Sequence, residues 1–293
     1  MSHKIAFIIN PISGNSSKRD IQDLISHRLD KNKFSPEIFF TERRNHATEM
    51  AQSLIQKGVY RIVAVGGDGT INEVAKSLMR TEGILGIIPS GSGNGLARHL
   101  GIPLDPAKAI ELINENYSIK MDIGFMNDVP FFCTSGVGFD AYIGKIFAQK
   151  SKRGFQTYVQ TTIKEFIHYK AHTYKITYGS QVLATRAFLI TIGNTAQYGN
   201  NAMICPYADV QDGLLDVSII TPFSKIFAFD LGRRLFNGTI DKSRYTMTFQ
   251  TSELKIERKE AGPVHIDGEP YEMSEELVLR ISPSSLNVFV RTK

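Results

Sequence analysis

The sequence predicts an α/β fold in two domains: a leading domain built on a largely parallel sheet, then a β-rich second domain. Two patterns and the contrast between them predict this. From residue 4 to residue 88, short apolar and β-branched runs alternate with helical periodicity, which builds a parallel sheet with helices on both faces. From about Met121 the chain changes to period-2 runs with few helices between them, the pattern of antiparallel sheet. A length of 293 residues accommodates two domains of ordinary size.

Residues 4–9 read as a buried strand, after which Ile21, Leu24, Ile25 and Leu29 share one helix face. Residues 37–40 read as a second strand. Ala47, Met50, Ala51, Leu54 and Ile55 keep helical spacing, and Gly58 ends that helix. Residues 61–65 form a β-branched strand, and Ile71, Val74, Ala75, Leu78 and Met79 repeat the helical pattern. Residues 84–88 give a further strand, closed by Pro89. In the second part, strands are expected over residues 173–178, 186–192, 214–220, 245–250 and 276–281, with helices over 155–169 and 224–236. The boundary is placed near residues 118–124, so the domains are 1–121 and 122–286.

Ligands of such parallel sheets bind beyond the carboxyl ends of the strands. Three loops occupy those positions: Asn10-Pro11-Ile12-Ser13-Gly14, Gly66-Gly67-Asp68-Gly69-Thr70 with Asn72-Glu73, and Pro89-Ser90-Gly91-Ser92-Gly93-Asn94-Gly95. Residues without bulky side chains let a backbone come close to a ligand, and the exposed N–H groups cradle phosphate oxygens at a helix start. Asp68 stands out among the glycines. A carboxylate beside phosphate repels it unless a metal ion intervenes or a proton has to be removed. Phosphoryl transfer requires both a Mg²⁺ ion and deprotonation of the attacking hydroxyl. The alternative for one such loop is a tight strand-to-helix turn with Thr70 as the helix cap; three at consecutive strand ends favour a phosphate site.

Composition excludes several classes. Hydrophobic residues at 42% and charged residues at 22% are those of a globular protein, without low-complexity or repeated segments. No apolar run reaches the ~18 residues of a membrane-spanning helix, and the N-terminus lacks a signal-peptide pattern, so a cytoplasmic location is expected. Cys133 and Cys205 fit no metal-ligand spacing and are expected to be reduced. The net charge of +5 suits an anionic partner, and Lys150-Ser-Lys152-Arg153 is the densest basic cluster. No basic stripe interleaved with stacking aromatics is present, so nucleic acid is not an expected partner. No Walker A motif occurs. Gly136-Val-Gly138-Phe-Asp-Ala141 imitates a dinucleotide fingerprint but lies outside the alternating region and is read as a turn. The seven histidines are scattered; His265 lies close to Asp267, with packing as its expected role.

In these motifs the chain resembles the diacylglycerol kinase catalytic-domain family, which includes bacterial lipid kinases and sphingosine and ceramide kinases. The resemblance runs on through Asp212-Gly-Leu-Leu-Asp216 and Asp267-Gly268-Glu269 and covers nearly the whole length. It implies an ATP-dependent lipid kinase with two lobes, the second β-sandwich-like, the active site in the cleft between them, and a last strand near residues 287–293 that returns to the first domain. It implies an ATP site from residues 10–14 and 66–72, with Thr41, Glu73, Ser92, Gly93 and Asn94 nearby. It also implies a proton acceptor at Glu269 with Asp267 beside it, and Asp68 acting through Mg²⁺ or on the acceptor hydroxyl. A structural Mg²⁺ is implied at Asp209, Asp212 and the carbonyl of Leu214, oxygen donors of the kind this ion prefers.

The loop Gly91-Ser92-Gly93-Asn94 departs from the bacterial diacylglycerol kinase pattern towards that of sphingosine and ceramide kinases, which leaves the lipid acceptor open. The expected partner is a lipid at the membrane surface, met by peripheral contact at its inner face, with a homodimer as the quaternary arrangement to test. Rival readings are an NAD kinase, which shares Gly-Gly-Asp-Gly and Asn-Glu, and a catalytically silent lipid- or nucleotide-binding regulator.

Overall fold

The computed structural model describes residues 2–13, 18–148 and 155–292. The chain forms two compact units: Met1–Met121 with Ser284–Lys293, and Asp122–Pro283.

The first unit alternates as its periodicity requires: β1 (His3–Ile9), α1 (Lys18–Arg28), β2 (Phe34–Phe40), α2 (His46–Gln56), β3 (Arg61–Gly66), α3 (Asp68–Leu78), β4 (Ile84–Pro89), α4 (Gly95–His99) and α5 (Pro106–Glu115). The strands lie in the order β2-β1-β3-β4 and are parallel, with Phe7 opposite Ile38, Ile8 opposite Ala64, and Val65 opposite Ile88. The order reverses direction between β1 and β3, so those two carboxyl ends flank the switch point where open α/β sheets bind ligands. α2 packs with α3 and α1 with α5. Phe7, Ile8, Ile62, Val63, Leu85 and Ile87 fill the sheet's interior; each such side chain contributes about 1.5–3 kcal/mol on burial. α5 has a sequence signal of its own: Asp105 caps it by accepting from Lys108 N at 3.1 Å, and Pro106 takes the first helical position.

β5 (Ser118–Met126) leads into the second unit. There follow β6 (Val129–Phe131), β7 (Thr134–Gly138), α6 (Phe139–Ala148), α7 (Phe155–Phe166), β8 (His172–Tyr178), β9 (Gln181–Ala187), β10 (Leu189–Gly193), β11 (Leu215–Ile220), α8 (Ala228–Phe236), β12 (Thr246–Thr251), β13 (Glu253–Arg258), β14 (Gly262–Ile266), β15 (Glu269–Met273) and β16 (Glu276–Phe289). One antiparallel sheet has the order β12-β11-β10-β7-β14-β15. The first half of β16 pairs with β13, and β13 with β8, in an opposing layer. Ile190, Ile192, Val217 and Val264 of one layer meet Ile176, Ile256, Leu277 and Leu279 of the other, which makes a β-sandwich.

Two strands differ from expectation. Residues 186–192 are not one strand: the chain changes sheets at Phe188, whose N–H donates to Ile220 O at 2.7 Å and whose carbonyl accepts from Phe139 N. Its ring packs on Phe139 at 4.7 Å between centroids, so one aromatic anchor turns the chain. Conversely, residues 276–281 and the final strand are a single strand, β16, which crosses Pro283 and a left-handed Ser284 (φ 49) without ending. Its second half pairs in parallel with β4, Asn287 opposite Ile84.

Candidate functional site

The three glycine-rich loops of the first unit are tied to each other. Asn10 Nδ2 donates to Thr70 Oγ1 at 3.1 Å, joining the first loop to the second. Ser90 Oγ donates to Ser13 O at 3.2 Å, joining the third to the first. Ser90 N donates to Gly66 O at 2.8 Å, and Asp68 completes the set. Its two carboxylate oxygens accept from Asn94 N and Gly95 N, both at 2.9 Å. Helix α3 begins at Asp68 with Gly67 as its cap, so Thr70 is not the cap that the tight-turn alternative supposes; it sits within the first turn and receives Asn10. Asn94 adopts a left-handed backbone (φ 53), and its side-chain amide bonds both backbone groups of Gly91, at 3.0 and 2.8 Å. The glycines are there for closeness: a Cβ at Gly91 would stand 2.7 Å from Gly67 Cα, and one at Gly93 2.7 Å from Asp68 Oδ2.

Thr41 lies at the same sheet edge, its N–H donating to Ile9 O at 2.9 Å. Pro11, Gly67 and Asn72 are partly exposed around the loops, and Gly69 and Ser92 are exposed. Glu73 has a different employment: its two oxygens accept from Asn45 N and Ala47 N and cap α2, whose own Asn45 makes no side-chain cap. Gly14 and the cluster Lys150-Ser-Lys152-Arg153 lie outside the described residues. One residue missed in the sequence reading is Arg98 on α4, whose Nε donates to Gly93 O at 3.1 Å. It places a guanidinium beside the third loop; its signal was a lone basic residue four positions after Asn94.

In the second unit, Asp267 and Glu269 occupy the turn between β14 and β15. Asp267 (φ 49) and Gly268 (φ 81) are both left-handed. The Asp267 carboxylate accepts from three successive amides: Phe132 N at 2.9 Å, Cys133 N at 2.7 Å and Thr134 N at 3.1 Å. That makes Asp267 the anchor of the turn. Glu269, two residues on, opens β15 with an exposed side chain. Replacing Asp267 with alanine strands three backbone donors, each costing about 1–3 kcal/mol when left unsatisfied. The expected loss of about 3 kcal/mol is read by denaturant unfolding, and an unchanged midpoint overturns the anchoring role.

Behind that turn lies a buried polar group. Asp140 Oδ2 accepts from Thr191 Oγ1 at 3.0 Å and Tyr198 Oη at 2.9 Å, and faces His265 Nε2 at 3.1 Å. Thr191 Oγ1 and Tyr198 Oη also lie against one another, so the two hydroxyl protons are shared among three contacts. Burial and the Asp140 charge hold the Tyr198 phenol well above its ordinary pKa. His265 thus has a hydrogen-bonded place in the interior, where the sequence suggested packing. Gly136 and Gly138 are part of β7, and a Cβ at Gly136 would stand 2.5 Å from Ile190 O.

The third acidic element is the loop before β11. Asp209 and Asp212 are exposed; each turns one oxygen back to the chain, accepting from Gln211 N and Leu214 N at 2.9 Å. A buried residue the sequence reading passed over, Asp122, holds this loop by accepting from Gly213 N at 2.8 Å. Its signal was a lone carboxylate in the otherwise apolar run of β5. The Asp216 carboxyl is pushed up to about 6, first by burial and then by the charges of Asp212 and Asp209. No lysine or arginine among the described residues forms an ion pair with Asp209, Asp212 or Asp216. No group of three or more histidine, cysteine, aspartate or glutamate side chains among the described residues could by itself hold a metal ion. The donors present are hard oxygens in an uncompensated negative field, which fits an ion that keeps several of its own waters, as Mg²⁺ does.

Comparison with known proteins bears on both units. Residues 4–126 match the model of the diacylglycerol kinase catalytic domain, and residues 134–290 that of the YegS C-terminal NAD kinase beta sandwich-like domain. A Pseudomonas aeruginosa protein whose name assigns it to the YegS-like lipid kinases is 32% identical over 246 residues, 83% of this chain and 80% of that one. The protein named diacylglycerol kinase in Mycobacterium tuberculosis is 25% identical over 243 residues, covering 80% and 79%. Among solved structures, a diacylglycerol kinase from Bacillus anthracis superposes with a TM-score of 0.76, covering 99% of this chain and 97% of that one; at 22% identity this shows the fold alone. Through the match of both halves in order, and its likeness to the Pseudomonas protein, the chain belongs to the diacylglycerol kinase catalytic-domain family, with the YegS-like lipid kinases.

Proposed function

We propose that this protein transfers the γ-phosphoryl group of ATP to the hydroxyl of a membrane lipid, with diacylglycerol the acceptor its relatives' names favour. The carrying observation is the stitched set of three loops at the carboxyl ends of β1, β3 and β4. Cross-bonding through Asn10, Ser90 and Asp68 fixes their backbone amides before a ligand arrives, and preorganised donors are the main catalytic device in phosphoryl transfer. The residues assigned to hold the nucleotide are Asn10, Pro11, Ser13, Thr41, Gly66, Gly67, Gly69, Thr70, Asn72, Ser92, Gly93 and Asn94, with Arg98 adding positive charge beside the third loop. Asp68 keeps the second and third loops in register, and each of its oxygens retains a lone pair. Glu269 is assigned the removal of the proton from the lipid hydroxyl. A Mg²⁺ ion carried in with the nucleotide would supply positive charge to the phosphate oxygens.

The test is transfer of radiolabelled γ-phosphate from ATP to micellar diacylglycerol, monoacylglycerol, phosphatidylglycerol, ceramide or sphingosine, with NAD as a soluble control. A labelled lipid that vanishes in Asp68→Ala supports the reading. Labelled NAD in place of lipid overturns it in favour of the rival kinase, and tight ATP binding with no labelled product overturns it in favour of a silent binding protein.

The loop of Asp209, Asp212 and the Leu214 carbonyl is assigned a second, structural Mg²⁺. In nucleotide-free protein, saturating Mg²⁺ is expected to raise Tm by about 5 °C. The Asp209→Ala/Asp212→Ala variant is expected to lose that rise. An equal rise in the variant, or none in the wild type, removes the assignment.

A further inference from the structure

Helix α8 has more apolar surface than its packing uses. Leu231 is buried and Leu235 packs against the same interior cluster. On the outward side Phe229 is 84% exposed and Phe236 50% exposed, seven residues apart and so on one face. In the short 3-10 turn that leads into it, Lys225–Phe227, Ile226 is 78% exposed. The end of α7 repeats the pattern, with Ile163 at 62% and Ile167 at 52%, one turn apart. The two segments are neighbours: Lys225 Nζ donates to Ile167 O at 2.9 Å, and Phe166 stacks on Phe223 with centroids 5.8 Å apart.

The charges around these side chains are one-sided. Arg233 and Arg234 share the single carboxylate of Asp230, which leaves that trio net positive. Lys164, Lys170 and Lys225 are exposed and form no ion pair with any described residue. Lysine is depleted at protein–protein interfaces. Bulky apolar side chains with unpaired lysines beside them are instead the mark of a helix that lies in a bilayer interface, its apolar groups among the acyl chains and its ammonium groups at the lipid phosphates.

We propose that Ile163, Ile167, Ile226, Phe229 and Phe236, with Lys164, Lys170 and Lys225, form the surface by which this protein docks on a bilayer containing anionic phospholipid. The proposal rests on the lipid-kinase reading for its biological sense, but its test is separate. Full-length protein is sedimented with vesicles of phosphatidylglycerol and phosphatidylcholine in equal parts, and with vesicles of phosphatidylcholine alone. Wild type is expected to sediment with the mixed vesicles. Ile226→Glu/Phe229→Glu is expected to bind at least about tenfold more weakly, and Lys164→Glu/Lys170→Glu to lose the preference for phosphatidylglycerol, each with an unchanged Tm. The same variants are expected to lose activity on diacylglycerol embedded in vesicles and to keep it on a water-soluble short-chain diacylglycerol. Wild type that stays in the supernatant, or variants that sediment with it equally, overturn the docking surface. Failure of wild type to phosphorylate the short-chain lipid overturns diacylglycerol as the acceptor instead, and leaves the sedimentation result to decide the surface.

Discussion

Glu269→Gln is expected to lower lipid phosphorylation at least about 100-fold, the lower end of what a positioned general base contributes. The substitution keeps size and hydrogen-bonding capacity and removes basicity. It also leaves the fold alone, because the turn is held elsewhere: Asp267 takes three amides, and β15 pairs with β14 from Ile266↔Glu269 onward. Thermal stability and ATP binding are therefore expected to match wild type, with the loss confined to kcat. The measurement is initial rate at saturating ATP across lipid concentrations. Turnover within a few-fold of wild type would remove Glu269 from the reaction, and a fall in Tm of equal weight would make it a structural residue.

Asp68→Ala is expected to cost as much activity by another route. Each oxygen of Asp68 holds an amide of the third loop, and hydrogen bonds to a charged acceptor are worth about 1.5–3 kcal/mol, less where the site is partly exposed. Without them the second and third loops lose their common register, so KM for ATP is expected to rise about tenfold while kcat falls at least about 100-fold. Asp68→Asn is expected to resemble alanine, since a side-chain N–H would face the amide of Asn94 or Gly95. This split of KM against kcat is the signature that separates Asp68 from Glu269. A variant with normal KM and normal kcat would sink the assignment.

Much of this was legible in the residues because the relevant signals are local. The parallel sheet follows from alternation between β-branched runs and helical spacing, and the loops follow from glycine where backbones must approach, as Gly91 and Gly67 do. What stayed hidden is what depends on partners distant in sequence. Glu73 sits next to the phosphate-loop motif, yet it caps a helix that begins 27 residues earlier. Asp267 sits beside Glu269 in one tripeptide, yet its oxygens belong to amides more than 130 residues away. Asp122 carried no motif, and Asp140 lay inside the imitation fingerprint Gly136-Val-Gly138-Phe-Asp-Ala141; their importance comes from burial and from the donors that folding brings to them. The sheet change at Phe188 was invisible for the same reason, since a period-2 pattern is unaffected by which neighbours a strand acquires.

The path of β16 has a consequence for how the molecule matures on the ribosome. The second unit, Asp122–Pro283, is contiguous, whereas the first is assembled from two stretches separated by all of it. Asn287 and Val288 supply the strand beside β4. Until they emerge, β4 presents an unpaired apolar edge, the kind of edge on which nascent chains pair with one another. The β-sandwich can therefore close while the first unit still lacks its last strand. Completion of the sheet that carries the phosphate loops is thus coupled to synthesis of Asn287 and Val288, and a chain that stalls just short of them is left with an apolar strand edge uncovered.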